Sequence, residues 1–309
     1  MKILIIGGGG FVGSWLTAEF RSRGHKVVII DPFIYYSTRN SEQLKKLGNF
    51  KEKVLLKGAK IYRKKFEDGG ENILKKERID IVIHLAGIPL EKADDFAISL
   101  KQLTDDIGLT YRIVQYLKDN PIKKFVFMSS ISAYGDCVNV IDEDFPLNPK
   151  TPYGITKAAG EFMTRANLSN WNIVRTTNIY GFGDINDRAN NLIINKILRA
   201  EKFWINRRII MDFINVKDLV AGIADVALKA PPQEVFHISG NKAISLTKFV
   251  EILKKYFEVD YEIKDLQDRP KRGNMDNKKA KKMIGWFPKM DIEKGISDYI
   301  NYVKEHGIA

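Results

Sequence analysis

Tyr153 and Lys157 stand four residues apart in the stretch Thr151-Pro152-Tyr153-Gly154-Ile155-Thr156-Lys157. Thr151 suits a helix N-cap and Pro152 a first helical position, so the stretch predicts a helix start. Four-residue spacing on a helix puts both side chains on one face. A free phenol loses its proton near ~10, too high for a general base at neutral pH. An ammonium one turn away favours the phenolate and lowers that value. Moving a phenol from about 10 to about 7 takes roughly 4 kcal/mol, at about 1.36 kcal/mol per pH unit. One lysine falls short of that, so the chemistry asks for a second positive charge. Taken alone, such a pair is more often a core aromatic beside a surface lysine. The rest of the chain decides.

The first thirty residues supply the context. Lys2 to Ile6 reads as a buried strand that runs straight into Gly7-Gly8-Gly9-Gly10-Phe11-Val12-Gly13. A helix follows, with Trp15, Leu16 and Phe20 at helical spacing and Gly24 as its stop. His25 to Ile30 is a second strand, ending at Asp31. Glycines 7, 10 and 13 at a strand-to-helix turn let backbone approach a pyrophosphate at the helix N-terminus. Asp31 can accept a hydrogen bond from the adenine-ribose 2′-OH, and its charge repels a 2′-phosphate, which favours NAD over NADP. An oxidised nicotinamide would also be the second positive charge that Tyr153 needs.

The elements that must position these groups follow in alternation. Pro32 to Lys57 is a basic, partly helical insertion with Tyr35, Tyr36 and Arg39, and it has no assigned role. Ile61 to Phe66 and Ile79 to Leu85 read as strands separated by the helical segment Glu71 to Arg78. The second strand runs into Ala86-Gly87, small enough for backbone to pass close to a cofactor. A helix from Ile98 to Lys118 precedes Pro121, and the strand Lys124 to Met128 leads into Ser129-Ser130-Ile131-Ser132-Ala133-Tyr134-Gly135. Such alternation predicts an α/β fold with a doubly wound parallel sheet, whose ligands sit at the carboxyl ends of the strands. Gly7, Asp31, Gly87 and Ser130 all fall there. Trp171 to Val174 is a further strand, and Val235 to Ile238 returns to the sheet. Between them Leu192 to Ala200 is helical, Trp204 to Phe213 extended and Asp218 to Lys229 helical. Leu246 to Phe257, Lys278 to Ile284 and Ile292 to Tyr302 are amphipathic helices of a smaller, mostly α C-terminal lobe. The expected division is a Rossmann domain over 1–177, with 213–239 returning to it, and a substrate lobe over 178–212 and 240–309.

Composition narrows the class. A chain of 309 residues with 44% apolar and 28% charged residues has the make-up of an ordinary soluble protein large enough for two lobes. No apolar run has membrane-span length, and Ile3 to Ile6 is too short for a signal peptide. A single cysteine, Cys137, excludes an internal disulfide and any multi-cysteine zinc site, and the four histidines show no metal-ligand spacing. The reading is a cytoplasmic protein without a metal. The net charge of +12 is spread over small groups such as Lys45-Lys46, Lys64-Lys65 and Lys278-Lys279, mixed with acids. That pattern suits a solvated surface and a site for an anionic substrate better than a nucleic-acid partner.

In this order and spacing, over essentially the whole chain, these stretches resemble the extended short-chain dehydrogenase/reductase family, in its nucleotide-sugar epimerase and dehydratase branch. The matching residues are Gly7, Gly10, Phe11, Val12 and Gly13, then Asp31, His84-Leu85-Ala86-Gly87, and Ser130, Tyr153 and Lys157. Arg175-x-x-Asn178-x-Tyr180-Gly181, Asp212-Phe213-Ile214-Asn215-Val216, Arg269-Pro270 and Gly285-Trp286-x-Pro288 extend the match. The resemblance implies that Tyr153 exchanges a proton with a sugar hydroxyl while hydride passes between the sugar and NAD. It implies that Lys157 holds the nicotinamide ribose, that Ser130 and Ser132 meet the substrate, and that Ser130 stabilises charge on the reacting oxygen. It also implies that Asn178 and Arg269 hold the diphosphate of a nucleotide sugar, that Phe66 lies against the adenine, and that two subunits pair through the helix carrying Tyr153.

Several positions depart from the family's pattern. Ser132 stands where dehydratases carry an acid, which disfavours a 4,6-dehydratase. Lys65 replaces an adenine-binding aspartate, and Asp105 stands in place of an asparagine of the helix before Pro121. Met211 replaces a phosphate-binding arginine, for which Arg207 or Arg208 are candidate substitutes. The expected function is an NAD-dependent nucleotide-sugar 4-epimerase. The alternatives are a 4-dehydrogenase or 4-keto-reductase on a nucleotide-linked hexose, deoxysugar or heptose, and last a non-catalytic NAD-binding regulator.

Overall fold

The strands at the centre are apolar on both faces, as strands covered by helices on two sides must be. In the computed structural model, which describes residues 1–34, 41–88, 96–137, 139–184, 189–266 and 273–306, the chain opens with β1 (Lys2–Ile6), α1 (Phe11–Ser22) and β2 (Lys26–Ile30). It continues through α2 (Ser41–Phe50), a π-helical turn (Lys51–Leu55), β3 (Lys60–Tyr62), α3 (Gly70–Glu77), β4 (Ile81–His84), α4 (Phe96–Asp119) and β5 (Lys124–Met128). The middle holds β6 (Val140–Ile141), α5 (Pro152–Asn167), β7 (Trp171–Thr176), β8 (Asn178–Tyr180), α6 (Ala189–Leu198), β9 (Phe203–Asn206) and β10 (Ile210–Asn215). Last come α7 (Val216–Lys229), β11 (Glu234–Ile238), β12 (Ala243–Ser245), α8 (Leu246–Leu253), β13 (Tyr261–Lys264), β14 (Asn274–Met275), α9 (Lys278–Ile284) and α10 (Ile292–His306).

Seven strands form one parallel sheet in the order β3-β2-β1-β4-β5-β7-β11. The chain leaves β1 toward β2 on one side and later resumes at β4 on the other, so a crevice opens between β1 and β4 at their carboxyl ends. Period-two alternation sends Ile3, Ile5, Ile81 and Ile83 into one buried cluster and Leu4, Ile6 and Val82 into the other. This is the doubly wound α/β architecture. Outside the sheet, β8 and β12 flank β10, β9 pairs with β13 and β6 with β14. On α10, Tyr302 stacks on Phe182 at 5.2 Å, and Asp298 pairs with Lys217 of α7 at 2.7 Å.

Two predicted strands differ. The one expected over 61–66 ends at Tyr62, because Arg63, Lys64 and Lys65 are exposed, and Phe66 opens a 3-10 turn (Phe66–Asp68). The extended run 204–213 is two strands, broken where Ile209 N–H turns back to the Asn206 carbonyl at 3.2 Å. Among the described residues, no helix is long and apolar enough to cross a membrane, and no group of side chains could hold a metal ion.

Candidate active site

The glycine turn after β1 is built for close approach. Gly7 has φ +88°, and a Cβ there would lie 2.6 Å from Ala86 N; one on Gly13 would lie 2.3 Å from the Gly7 carbonyl oxygen. Leu85 and Ala86 N–H both bond to Ile6 O, at 2.9 and 3.0 Å, which locks the two strand ends side by side. The N-cap of α1 is Gly10, with no side chain to satisfy the first N–H groups of Phe11, Val12 and Gly13. A smooth cradle facing a helix N-terminus fits a dinucleotide's pyrophosphate. Asp31 closes its far edge, with Oδ2 accepting from Gly9 N–H at 2.9 Å and Oδ1 from Phe33 N–H at 2.6 Å. Burial raises its pKa, opposed by those two bonds and by the nearby Lys51. Lys51, buried in the π-turn, donates to the Gly9 carbonyl at 3.4 Å, so the insertion without a sequence-assigned role touches the glycine turn. Phe66 keeps its ring in the core and Lys65 is exposed.

The helix bearing the reactive pair starts as its sequence predicts. Thr151 Oγ1 accepts from Gly154 N–H at 3.1 Å, and Pro152 opens α5. Tyr153 is half-buried and Lys157 buried, with the ammonium 5.4 Å from the phenol ring centre and 5.5 Å from that of Phe127. Gly154 lets the first turn of α5 rest on the 3-10 turn Ile131–Tyr134 that Ser130 caps (the serine turn), since a Cβ there would sit 2.4 Å from Ser132 O. Across that contact Ser130 Oγ accepts from Ser132 N–H at 3.1 Å and donates to Ser132 Oγ at 3.3 Å. Ser130, Ser132, Tyr153 and Lys157 thus share one end of the sheet with Gly87 and Ala86.

One expected position is corrected. Asp105 lies on the solvent side of α4, paired with Lys101, and the acid that reaches the site is Asp106. Its two oxygens accept from Ile88 N–H at 3.0 and 3.1 Å. A Cβ on Gly87 would lie 3.1 Å from Asp106 Oδ2 and 3.5 Å from Lys157 Nζ. Burial pushes Asp106 up to about 6, against the pull of Lys157. Behind it, burial first and Lys157 second hold His84 down at about 3, and its Nε2 bonds to Thr110 Oγ1 at 3.0 Å. Gln102, Asp106 and Thr110 recur every fourth residue as buried polar groups on α4. That spacing was the available signal.

A second set of buried charges backs the serine turn. Glu161, two turns after Tyr153, accepts from Arg175 Nε and Nη2 at 2.9 and 2.7 Å and from Ser129 Oγ at 2.6 Å. Arg175 also donates to Tyr134 Oη at 2.5 Å and to the Glu143 carbonyl at 2.7 Å. Tyr134 Oη meets His237 Nε2 at 2.5 Å, and burial followed by Arg175 holds His237 down at about 3. Burial opposes the charge on Arg175, but Glu161 outweighs it and raises the guanidinium's pKa. Tyr153, Lys157 and Glu161 form a four-residue ladder on α5 that the sequence displays in full.

The substrate side is less converged. Asn178 spends its amide on Asp212 O at 3.1 Å, bridging β8 to β10. Met211 is half-buried against the core, and neither candidate substitute is free for a phosphate, because Arg207 and Arg208 both bind Asp265 at the surface. Arg269 and Pro270, like Tyr35, Tyr36 and Arg39, lie outside the described residues.

Comparison with known proteins agrees with this geometry. Residues 3–239 match the model of the NAD dependent epimerase/dehydratase family. A Bacillus subtilis (strain 168) protein described as an uncharacterized UDP-glucose epimerase, YtcB, is 28% identical over 322 residues, covering 98% of each chain. A dTDP-D-glucose 4,6-dehydratase of Dictyostelium discoideum is 29% identical over 79% of this chain and 59% of its own. Among solved structures, UDP-glucuronic acid 4-epimerase from Bacillus cereus, in complex with UDP-glucuronic acid and NAD, superposes with TM-score 0.88 at 25% identity over 99% of both chains. The glycine cradle, the Ser130–Tyr153–Lys157 end of the sheet and the match over most of its length place this chain in the NAD-dependent epimerase/dehydratase family.

Proposed function

We propose that the protein is an NAD-dependent nucleotide-sugar 4-epimerase. The observation that carries this reading is the Ser130–Ser132 hydroxyl pair packed under the first turn of α5, next to Tyr153. A dehydratase needs an acid where Ser132 stands. Two hydroxyls and a phenol can instead hold a sugar oxygen and move its proton, which is what oxidation and re-reduction at C4 ask of the side chains when NAD carries the hydride.

NAD, when bound, supplies the hydride acceptor and donor. The glycine turn and the open N–H groups of α1 would hold its pyrophosphate, Asp31 its adenosine ribose and Lys157 its nicotinamide ribose. Tyr153 takes the proton of the sugar 4-hydroxyl as the C4–H bond gives up its hydride, leaving a 4-keto sugar. Ser130 donates to the oxygen as charge develops there. With the ketone presented by its other face, Tyr153 would restore the proton to the oxygen as C4 is reduced, and the configuration at C4 would be inverted. The sugar nucleotides in the names of the relatives, UDP-glucose and UDP-glucuronic acid, are the substrates to try first.

Purification without added cofactor, denaturation and quantification of released NAD and NADH tests this reading. Near-stoichiometric cofactor together with inversion at C4, followed by proton NMR, supports the epimerase. An empty protein that exchanges NAD and reduces it in step with sugar oxidation points to the 4-dehydrogenase or keto-reductase. Tyr153→Phe should lower either activity by about 10²–10⁴-fold.

A homodimer through α4 and α5 belongs to the same proposal. The two helices pack together and still expose Tyr111 (53%) and Phe162 (61%), with Leu100 and Ile155 also open on those helices. Sedimentation of a monomer at micromolar concentration would remove that part.

A further inference from the structure

Asp106 is a buried carboxylate that the mechanism above does not use. It sits in the middle of α4, 8% exposed, and grips the turn after β4 together with Gln102, whose Nε2 donates to the Ile88 carbonyl at 2.6 Å. Gly87 runs between the Asp106 carboxylate and the Lys157 ammonium, with both within 3.5 Å of the point where a Cβ would stand. The other groups around it, among the described residues, are accounted for. His84 on β4 is held neutral, Thr110 is bonded to it, and Asp105 and Lys101 pair on the outer side of α4. Among the described residues, and with Tyr153, whose ring centre is 5.4 Å from the ammonium, common to both cases, the balance of charge around Gly87 is therefore set by Lys157 and Asp106.

We propose that Asp106, acting through Lys157, selects the oxidation state of the bound cofactor. With Asp106 ionised its charge offsets that of Lys157, and the pocket accepts the cationic nicotinamide of NAD. With a neutral residue there the pocket carries the full lysine charge and turns toward uncharged NADH. Asp106 is a positioning residue in this account and touches no reacting atom. The inference rests on Lys157 lying at the nicotinamide ribose. It gives the resting enzyme a reason to keep its cofactor oxidised, as an epimerase must between turnovers.

The test is the ratio of dissociation constants for NADH and NAD, measured by fluorescence titration of the cofactor-stripped full chain. Asp106→Asn keeps the shape and an acceptor for Ile88 N–H. At neutral pH it should shift the ratio toward NADH by roughly 3- to 10-fold, the size expected of one charge in a partly buried site. Asp106→Glu should hold the wild-type ratio. A merely structural role would weaken both forms equally, and an unchanged ratio in Asp106→Asn overturns the inference. If that variant does not fold, the wild type carries the test. Its ratio should move toward NADH as pH falls through about 6, where Asp106 takes up a proton, and a flat ratio overturns the inference. Failure of the wild type to bind either form is a different result, which sinks the NAD reading itself.

Discussion

Among the arginines that bind carboxylates in the described residues, two clusters make a useful contrast. Arg175 and Glu161 are almost completely enclosed, at 2% and 0% side-chain exposure, and the pair is satisfied by Ser129 and Tyr134 as well. Arg207 and Arg208 share Asp265 at the rim of the substrate side, with 62%, 54% and 33% exposure. The buried cluster joins α5, β7, the serine turn and, through Tyr134, His237 of β11. The exposed one joins the β9–β10 turn to the end of β13. Charges in water gain little by pairing, whereas charges taken out of water must be paired or the fold loses the full penalty. The contrast separates an enclosed ion pair behind the proposed catalytic residues from a solvent-open one in the lobe proposed to take the substrate.

Glu161→Gln should give the largest effect. It leaves Arg175 buried with half of its partner gone, a situation that costs about 3–5 kcal/mol. Chemical denaturation should show that loss, and replacing both partners by Arg175→Met and Glu161→Leu should recover part of it. Wild-type stability in Glu161→Gln would falsify the claim that this cluster holds the serine turn against α5.

Asp106 carries a similar burden without a direct ion pair, and it makes the contrast depend on pH. Burial raises its pKa from the ordinary 3.8 to about 6, so between these values the folded state binds more protons than the unfolded one. Stability therefore falls as pH rises from about 4 to about 6 and is level above that, by on the order of 3 kcal/mol for this group. Asp212, buried and also pushed up to about 6, adds a slope of the same sign. The difference between wild type and Asp106→Asn isolates Asp106. The variant should gain on the wild type across that window, and parallel curves would show that the carboxyl does not titrate there.

Gly154→Ala tests packing rather than charge beside the same proposed catalytic residues. The new methyl would meet Ser132 O at 2.4 Å, so the first turn of α5 must lift away from the serine turn. The expected cost is about 1–3 kcal/mol, with activity falling further than stability because Tyr153 moves with that turn. Equal losses in both would mean that the contact is structural only.

What could be read from the sequence follows the same line. Gly7, Gly13, Asp31, Thr151, Tyr153 and Lys157 are where pattern and chemistry place them, because each answers a local rule: a turn, a cap or a helical spacing. Asp106 was missed by one residue because helix phase, not the identity of either aspartate, decides which of two neighbours faces the core. The buried ladder Gln102, Asp106 and Thr110 would have settled the phase. Glu161 lies on the same face of α5 as Tyr153 and Lys157, but its partner Arg175 comes from another strand, and no local rule pairs them. The strand expected over 61–66 stops at Tyr62, because three exposed basic residues before Phe66 end the pairing. On the substrate side, Arg207 and Arg208 looked available only because Asp265 is nearly sixty residues away in the chain.

Asp265→Asn should have the smallest effect, and it sharpens the comparison from the other end. The carboxylate's pKa is held down by hydrogen bonds from Arg208 and Arg207, yet all three groups remain open to solvent and salt. Thermal unfolding should be indistinguishable from wild type. The informative readout is substrate affinity, because removing the shared acid frees two guanidinium groups a few residues before Met211, where the family pattern has a phosphate-binding arginine. If these arginines take a nucleotide sugar's diphosphate, the variant should lower KM by a few-fold at low salt with kcat unchanged, and the gain should fade as salt is added. An unchanged KM at low salt would mean that Arg207 and Arg208 are surface charge alone, and that the diphosphate is held by other residues of the lobe proposed to take the substrate.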